Sequence, residues 1–211
     1  MNTELLIEML ARNAGPAPRA VVARRLVPVM VLGLFSSCLL ALLIIGPLPS
    51  VVFLTPAPWI KLVYAFLLIG ACAVLTARLA RPVARLQGPR FPVAAVVISM
   101  AILGALSFGL TPEEDRISAV LGQTWLMCPW LLMGFSLPSL AGVFWAVRGL
   151  APTQPKKAGF ACGLLAGAIG AAGYSFACPE SSTTFVAVWY TLGIGLTALL
   201  GRALAPRWLR W

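Results

Sequence analysis

Residues 27–45 read VPVMVLGLFSSCLLALLII and contain no charged side chain. A helix needs about 20 mostly apolar residues to cross the hydrocarbon core of a bilayer, and this run has that length. Five further runs of similar length and composition follow, at 60–79, 91–110, 129–147, 158–177 and 185–204. None of them shows the short alternating segments of a membrane β-barrel. The sequence therefore predicts an all-α integral membrane protein with six transmembrane helices.

The composition of the whole chain also indicates a membrane protein. Of its 211 residues, 60% are hydrophobic and 10% are charged, and the mean hydropathy is +0.94. A soluble domain is nearer half apolar and a quarter charged, so an ordinary cytosolic enzyme is excluded. The chain has no histidine and its five cysteines form no CxxC pair. We therefore expect no enzyme activity, no bound cofactor and no metal site.

The basic residues are distributed unevenly between the connections. Fourteen of the 16 Lys and Arg residues lie on one side of the predicted bundle, and only Lys61 and Arg116 lie on the other. Connections rich in Lys and Arg face the cytoplasm, so we expect both termini to be cytoplasmic. The predicted division is a cytoplasmic leader at 1–26, a transmembrane domain at 27–204 and a cytoplasmic tail at 205–211. The net charge of +10 is then explained by the membrane topology, and direct nucleic-acid binding is not expected.

The leader has the pattern of a short amphipathic helix that begins at Thr3. Its apolar stripe consists of Leu5, Leu6, Ile7, Met9 and Leu10. The opposite face carries Glu4, Glu8 and Arg12, and a Pro/Gly-containing tether follows at 13–18. Two acids on one polar face fit an anionic membrane surface poorly, which favours docking of Leu5, Leu6, Met9 and Leu10 in a groove of a partner protein. A membrane-surface helix and a frayed terminus without a function are the alternatives.

Two cysteines differ from the others because each is followed by proline. Cys128-Pro129 begins the fourth run and Cys178-Pro179 ends the fifth, so both thiols fall at the outer membrane edge of helices that a short loop makes neighbours. A disulfide is allowed there if the two Cα atoms come within about 7 Å. The alternative is a pair of ordinary interfacial cysteines. The remaining cysteines, Cys38, Cys72 and Cys162, are expected to be inert apolar residues.

Glycines recur at every fourth position in the fifth run, at Gly159, Gly163 and Gly167. Small residues on one helix face allow two helix backbones to approach closely. We favour packing of this stripe inside the six-helix bundle, and the alternative is a dimer face. A homodimer is therefore left open.

The predicted spans carry no charged residue deep in the membrane. Ion-coupled transporters usually need such groups near the midplane, so their absence argues against this class. A small transporter or channel-like protein without buried charges remains the alternative function. A thiol-redox membrane enzyme is a weaker alternative, because the chain has neither a CxxC pair nor a histidine.

The whole chain resembles the negative-regulator-of-sigma-F family, a group of six-span anti-sigma factors of the bacterial inner membrane. The resemblance rests on ELLIEMLA at 4–11, PAP at 16–18, RRL at 24–26 and the two Cys-Pro dipeptides. It implies that the partner is an extracytoplasmic-function sigma factor held at the membrane by the leader. It also implies that Cys128 and Cys178 take part in sensing and that the sigma factor is released under stress. We expect the stimulus to be an oxidant or a thiol-reactive metal.

Overall fold

The computed structural model describes residues 3–4, 7–9, 21–80, 90–150 and 152–209. Within these ranges the regular structure is helical and contains no strand, which confirms the all-α prediction. The long helices are α1 (Val21–Ile44), α2 (Pro56–Leu79), α3 (Arg90–Leu110), α5 (Cys128–Arg148), α6 (Pro155–Tyr174) and α7 (Thr183–Trp208). A short helix, α4 (Arg116–Leu121), lies between α3 and α5.

Five of these helices, α1, α2, α3, α5 and α7, are long and apolar enough to cross a membrane. The remaining long helix, α6, is not among them. It has 20 residues, but glycine and alanine provide most of them and Lys156 and Lys157 occupy its first turn. The prediction of several membrane-spanning helices is therefore confirmed, and the number of six stays a prediction.

Helix α6 lies at the centre of the bundle. It packs against α7, α5, α2 and α1, whereas α3 packs against α2 and the start of α7. Every residue of α6 from Leu165 to Tyr174 is buried. A helix enclosed in this way has little contact with lipid, so it needs small side chains for packing more than large apolar ones for solvation.

The glycine stripe of α6 lies against α7. A Cβ atom at Gly163 would stand 2.5 Å from the Thr197 carbonyl oxygen, and one at Gly167 would stand 3.0 Å from the Ile194 Cα atom. Gly159 faces Gly201 and Ala205 in the same manner, so the two helices run antiparallel. The stripe is thus occupied within the chain, as the bundle-packing interpretation expects, and is not available as a dimer face.

Large apolar side chains cover the outside of the bundle. On α1, Leu32 and Phe35 are each 67% exposed and Leu43 is 74% exposed, while α3 buries only Met100 and Gly104. Such a surface is unfavourable in water and suits contact with lipid chains.

Two helices extend beyond the apolar runs that predict them. Helix α1 begins at Val21 and includes Arg24 and Arg25, and α7 continues to Trp208. The predicted limits at residues 26 and 204 therefore fall inside helices, because hydropathy locates the membrane-embedded part of a helix and not its end. Within α7, residues Val186–Tyr190 form a π-helical turn.

The bundle has two chemically different ends. The thiol end carries Cys128 at the start of α5 and Cys178 just after α6. The basic end carries Arg148 at the end of α5, Lys156 and Lys157 at the start of α6, and Arg202 near the end of α7.

We predict that Gly163→Ala lowers the free energy of unfolding by about 1–3 kcal/mol, because the new methyl group would collide with the Thr197 carbonyl and force α6 and α7 apart. Thermal unfolding in detergent, followed by intrinsic fluorescence, measures the change. Gly70→Ala is the matched control, since nothing lies within 4 Å of a Cβ atom at Gly70 on α2. Equal stability of the two variants would show that the α6–α7 contact is not close.

Candidate functional site

Both cysteines of the Cys-Pro dipeptides lie at the thiol end and are inaccessible to solvent. Cys128 is the first residue of α5, and Cys178 lies four residues beyond Tyr174, the last residue of α6. The exposed fraction of each is 0%, and both are free thiols. The Cys128 amide donates a hydrogen bond to the Thr124 carbonyl over 2.8 Å, and the Cys178 amide donates to the Tyr174 carbonyl over 2.9 Å. Backbone hydrogen bonds therefore fix the position of each cysteine.

The hydroxyl of Tyr174 brings the two thiols together. It lies close to both Cys128 and Cys178, and the two thiols lie close to each other. Tyr174 itself is 1% exposed and packs against Phe135, with the ring centroids 5.9 Å apart. The structure therefore joins the two cysteines in one buried cluster at the end of the central helix.

A second tyrosine closes the cluster from α7. The Tyr190 ring stacks on the Tyr174 ring with a centroid distance of 5.7 Å, and its hydroxyl lies beside the Cys178 thiol. This hydroxyl is fully buried and has no hydrogen bond of good geometry to any other described residue. An unsatisfied buried hydroxyl is uncommon in a folded protein.

A buried lysine forms the third wall of the cluster. Lys61 on α2 is 1% exposed, and its Nζ atom donates a hydrogen bond to the Cys178 carbonyl over 2.9 Å. The Lys61 ammonium also interacts electrostatically with the Cys128 thiol. In the described part of the chain no carboxylate forms an ion pair with it. A buried ammonium without a counter-ion costs free energy, so its hydrogen bond to Cys178 is important for holding α2 at the cluster.

Glu180 connects the segments that carry the two cysteines. Its Oε1 atom accepts hydrogen bonds from the Gln123 amide over 2.7 Å, from the Thr124 amide over 2.9 Å and from the Thr124 hydroxyl over 2.9 Å. Thr124 precedes Cys128 by four residues, and Glu180 follows Cys178 by two. This carboxylate therefore holds the two segments that carry the cysteines against each other. We call this set of three bonds the Glu180 latch.

Neighbouring contacts reinforce the Glu180 latch. The Ser182 hydroxyl donates to the Ala119 carbonyl over 2.7 Å, and the Trp189 indole donates to the Val120 carbonyl over 2.8 Å. Gly122 has a φ angle of +57°, and a Cβ atom there would stand 2.5 Å from Oε2 of Glu180. Only glycine combines this backbone conformation with such a close approach.

The chemistry available to the cluster is that of a thiol pair. Two thiols can lose two protons and two electrons together and form a disulfide. No group of three or more Cys, Asp or Glu side chains suited to a metal ion occurs among the described residues. Since both thiols are buried, any reagent must reach them through a local opening of the thiol end, and the bonds of the Glu180 latch join two of the segments there.

The other cysteines and the leader lie elsewhere. Cys38 is half-buried on α1, and Cys72 and Cys162 are buried on α2 and α6. In the leader, residues 3–4 and 7–9 are helical, and Met9 is 52% exposed. The remaining predicted partner-binding residues, Leu5, Leu6 and Leu10, lie outside the described residues.

Sequence reasoning missed four residues of the thiol cluster: Lys61, Tyr174, Glu180 and Tyr190. Two signals were available. Glu180 directly follows Cys178-Pro179, and Lys61 is one of only two basic residues on its predicted side of the membrane. The two tyrosines gave no comparable signal, because aromatic residues near helix ends are ordinary membrane anchors.

Comparison with known proteins identifies one family over nearly the whole chain. The family described as "Negative regulator of sigma F" matches residues 10–211. "Probable anti-sigma-F factor NrsF" of Azospira oryzae is 34% identical over 213 residues, which cover 100% of both chains. "Anti-sigma-F factor NrsF" of Caulobacter vibrioides is 36% identical over 217 residues, again 100% of both chains. No solved structure gives a significant match.

We predict that Glu180→Ala increases the rate at which Cys128 and Cys178 react with a maleimide in the folded protein, by roughly tenfold. Loss of the three hydrogen bonds frees the segments that cover the thiols, at about 1 kcal/mol or more of local stability. Mass spectrometry of labelled peptides measures the rate. Glu114→Ala removes an exposed acid from the same end and should leave the rate unchanged. Equal labelling of both variants would mean that the Glu180 latch does not cover the thiols.

Proposed function

The chain belongs to the family of negative regulators of sigma F, and from this premise we propose that it is a membrane-bound anti-sigma factor that responds to thiol chemistry. The family is regulatory and not enzymatic. Because its members are anti-sigma factors, the partner is a sigma factor. We further propose that this sigma factor is of the extracytoplasmic-function type. The observation that carries the sensing part is the burial of Cys128 and Cys178 against Tyr174 at the end of the central helix.

Capture of the sigma factor is assigned to the leader. Ile7 and Met9 are 61% and 52% exposed, so part of the apolar stripe faces away from the bundle. An amphipathic helix with unpartnered apolar residues is suited to a groove on another protein, and its Glu4 and Glu8 side chains favour a basic rim. Leu5, Leu6, Met9 and Leu10 are the proposed contact residues. Binding through a membrane-tethered helix keeps the sigma factor at the membrane and away from RNA polymerase.

Sensing is assigned to oxidation of the thiol pair. A two-electron oxidant removes two electrons and two protons from Cys128 and Cys178, a bond forms between the two sulfur atoms, and the oxidant is reduced. The reaction fixes the start of α5 to the end of α6. A soft metal ion bound by both thiolates would constrain the same spacing and is the second stimulus that we propose.

Transmission of the signal is assigned to α6. This helix is in contact with four other long helices, and it joins the thiol end to the basic end over about 30 Å. A change in its position at Tyr174 is passed to Lys156 and Lys157, because tightly packed helices move as rigid elements. A change of about 2 kcal/mol in leader affinity changes sigma binding about 30-fold.

We also propose six membrane spans with both termini in the cytoplasm of the cell and the thiol end outside it. The basic end carries Lys156, Lys157 and Arg202, while Glu113, Glu114 and Asp115 follow α3 at the thiol end. This arrangement agrees with the distribution of basic residues expected across a bacterial inner membrane. Helix α6 is then a span in addition to the five apolar helices, with α1, α2, α5 and α7 covering its small residues.

We predict that Leu6→Glu weakens sigma binding about 100-fold or more, because it introduces an unpaired charge into an apolar contact. Genes that depend on the sigma factor should then be expressed constitutively, while insertion of the protein into the membrane stays normal. Co-purification of the sigma factor and a transcriptional reporter measure the two effects. Thr3→Glu is the control, since it adds the same charge to the leader outside the apolar stripe. Full repression with Leu6→Glu would exclude the leader as the sigma-binding element.

We predict that Cys128→Ser and Cys178→Ser each abolish induction by the thiol oxidant diamide, because one remaining thiol cannot form the disulfide. The double variant should behave like either single variant. Induction is measured with the same reporter, and the disulfide is detected by mass spectrometry of non-reduced peptides.

Cys72→Ser and Cys162→Ser are the matched controls, since both thiols are buried in the bundle but lie outside the thiol cluster. Both controls should respond normally. Full induction in the double variant would contradict thiol sensing and leave the anti-sigma activity unaffected.

A further inference from the structure

A cavity of about 640 Å³ opens at the basic end, between α2, α3, α6 and α7. Its volume lies within the range of sites for small organic ligands, about 300–1,000 Å³. Four cations line it, namely Arg90, Lys156, Lys157 and Arg202. The rest of its wall is apolar and consists of Leu75, Leu79, Val93, Ala94, Val97, Phe160 and Leu164.

The charged and apolar parts of this cavity are separated along the helix axes. On α3, Arg90, Val93 and Val97 occupy one face and extend about 10 Å from the helix start. On α6, Lys157, Phe160 and Leu164 follow the same order. The mouth is therefore basic and the interior is apolar, which is the polarity of a site for an anionic amphiphile.

The chain supplies little negative charge at this end. Of its six acidic residues, Glu113, Glu114, Asp115 and Glu180 lie at the thiol end, about 30 Å away along a 20-residue helix. The other two, Glu4 and Glu8, belong to the leader. Apart from the leader, the described residues place no acidic side chain at this end, so the mouth carries a net positive charge that suits an anionic ligand.

We propose that this cavity binds one anionic phospholipid, with its phosphate against Lys156, Lys157 and Arg202 and an acyl chain along Leu75, Val97 and Leu164. Basic pockets between membrane helices are suited to such headgroups. Helix α3 is sparsely packed in the bundle, because it buries only Met100 and Gly104, so we expect the lipid to enter the cavity on this side.

The observations favour a lipid over the leader as the occupant. Ile7 and Met9 are more than half exposed, so this part of the leader does not fill the cavity in the structure. The leader also does not match the arrangement of the cavity. Its apolar and acidic residues lie on opposite sides of a helix, whereas the charged and apolar groups of the cavity follow one another along about 10 Å of the helix axes. Lipid binding at this site does not require the proposed anti-sigma activity.

The test compares binding of phosphatidylglycerol and phosphatidylcholine to the purified full-length protein, by native mass spectrometry and by thermal unfolding in detergent. We expect phosphatidylglycerol to bind more tightly and to stabilise the protein more. The double variant Lys157→Gln/Arg202→Gln should bind phosphatidylglycerol about 30-fold more weakly, about fivefold for each cation removed. The control Arg24→Gln/Arg207→Gln removes the same charge outside the cavity and should bind normally.

Four results would overturn the proposal. Equal effects of the two phospholipids, or equal losses in the two double variants, would exclude recognition of the headgroup by this cavity. Full stabilisation by inorganic phosphate would assign the cations to a free anion. If Lys157→Gln/Arg202→Gln and Glu4→Gln/Glu8→Gln destabilise the lipid-free protein equally, the leader is the occupant.

Discussion

The close backbone contact between α6 and α7 is the constraint on which the rest of the bundle depends. Gly163 leaves no room for a Cβ atom beside the Thr197 carbonyl, and Gly167 is nearly as close to Ile194. Without a hydrophobic driving force between helices in lipid, such close packing supplies much of the association energy. It also makes α6 narrow enough for four other helices to surround it. The central helix can therefore do without the apolar composition of a membrane-spanning segment, because its neighbours shield it from lipid.

The thiol cluster is assembled by groups that do not belong to the Cys-Pro dipeptides. Tyr174 lies close to both thiols, Lys61 donates a hydrogen bond to the Cys178 carbonyl, and the Glu180 latch holds the segment before Cys128. Helices α2 and α6 and the two loops that the Glu180 latch joins therefore help to determine the geometry of two side chains. The complete burial of both cysteines means that their reactivity depends on how often these contacts open and not only on their intrinsic nucleophilicity.

The apolar runs and the positions of Cys128 and Cys178 relative to them could be predicted from the sequence, because both depend on local composition. The roles of Lys61 and Glu180 could not, since each depends on which segments meet in space. Lys61 lies at the edge of a predicted span, where a lysine is ordinarily exposed to water. In the structure α2 begins at Pro56, and Lys61 is buried. The composition of α6 is also misleading, because it is only weakly apolar. Other helices bury α6, so it does not need the large apolar side chains that contact with lipid requires.

The π-helical turn in α7 allows one helix to serve two differently oriented neighbours. Before and within the turn, α7 packs on α3, where the Thr184 hydroxyl donates to the Gly104 carbonyl over 3.0 Å. After the turn, it packs on the glycine stripe of α6. The additional residue in the turn rotates the two parts of α7 by about 100° relative to each other. A phase shift of this size directs Tyr190 to the thiols while the following residues keep their register with α6. A one-residue deletion in this turn would therefore rotate the surface that contacts α3 out of alignment with the surface that contacts α6.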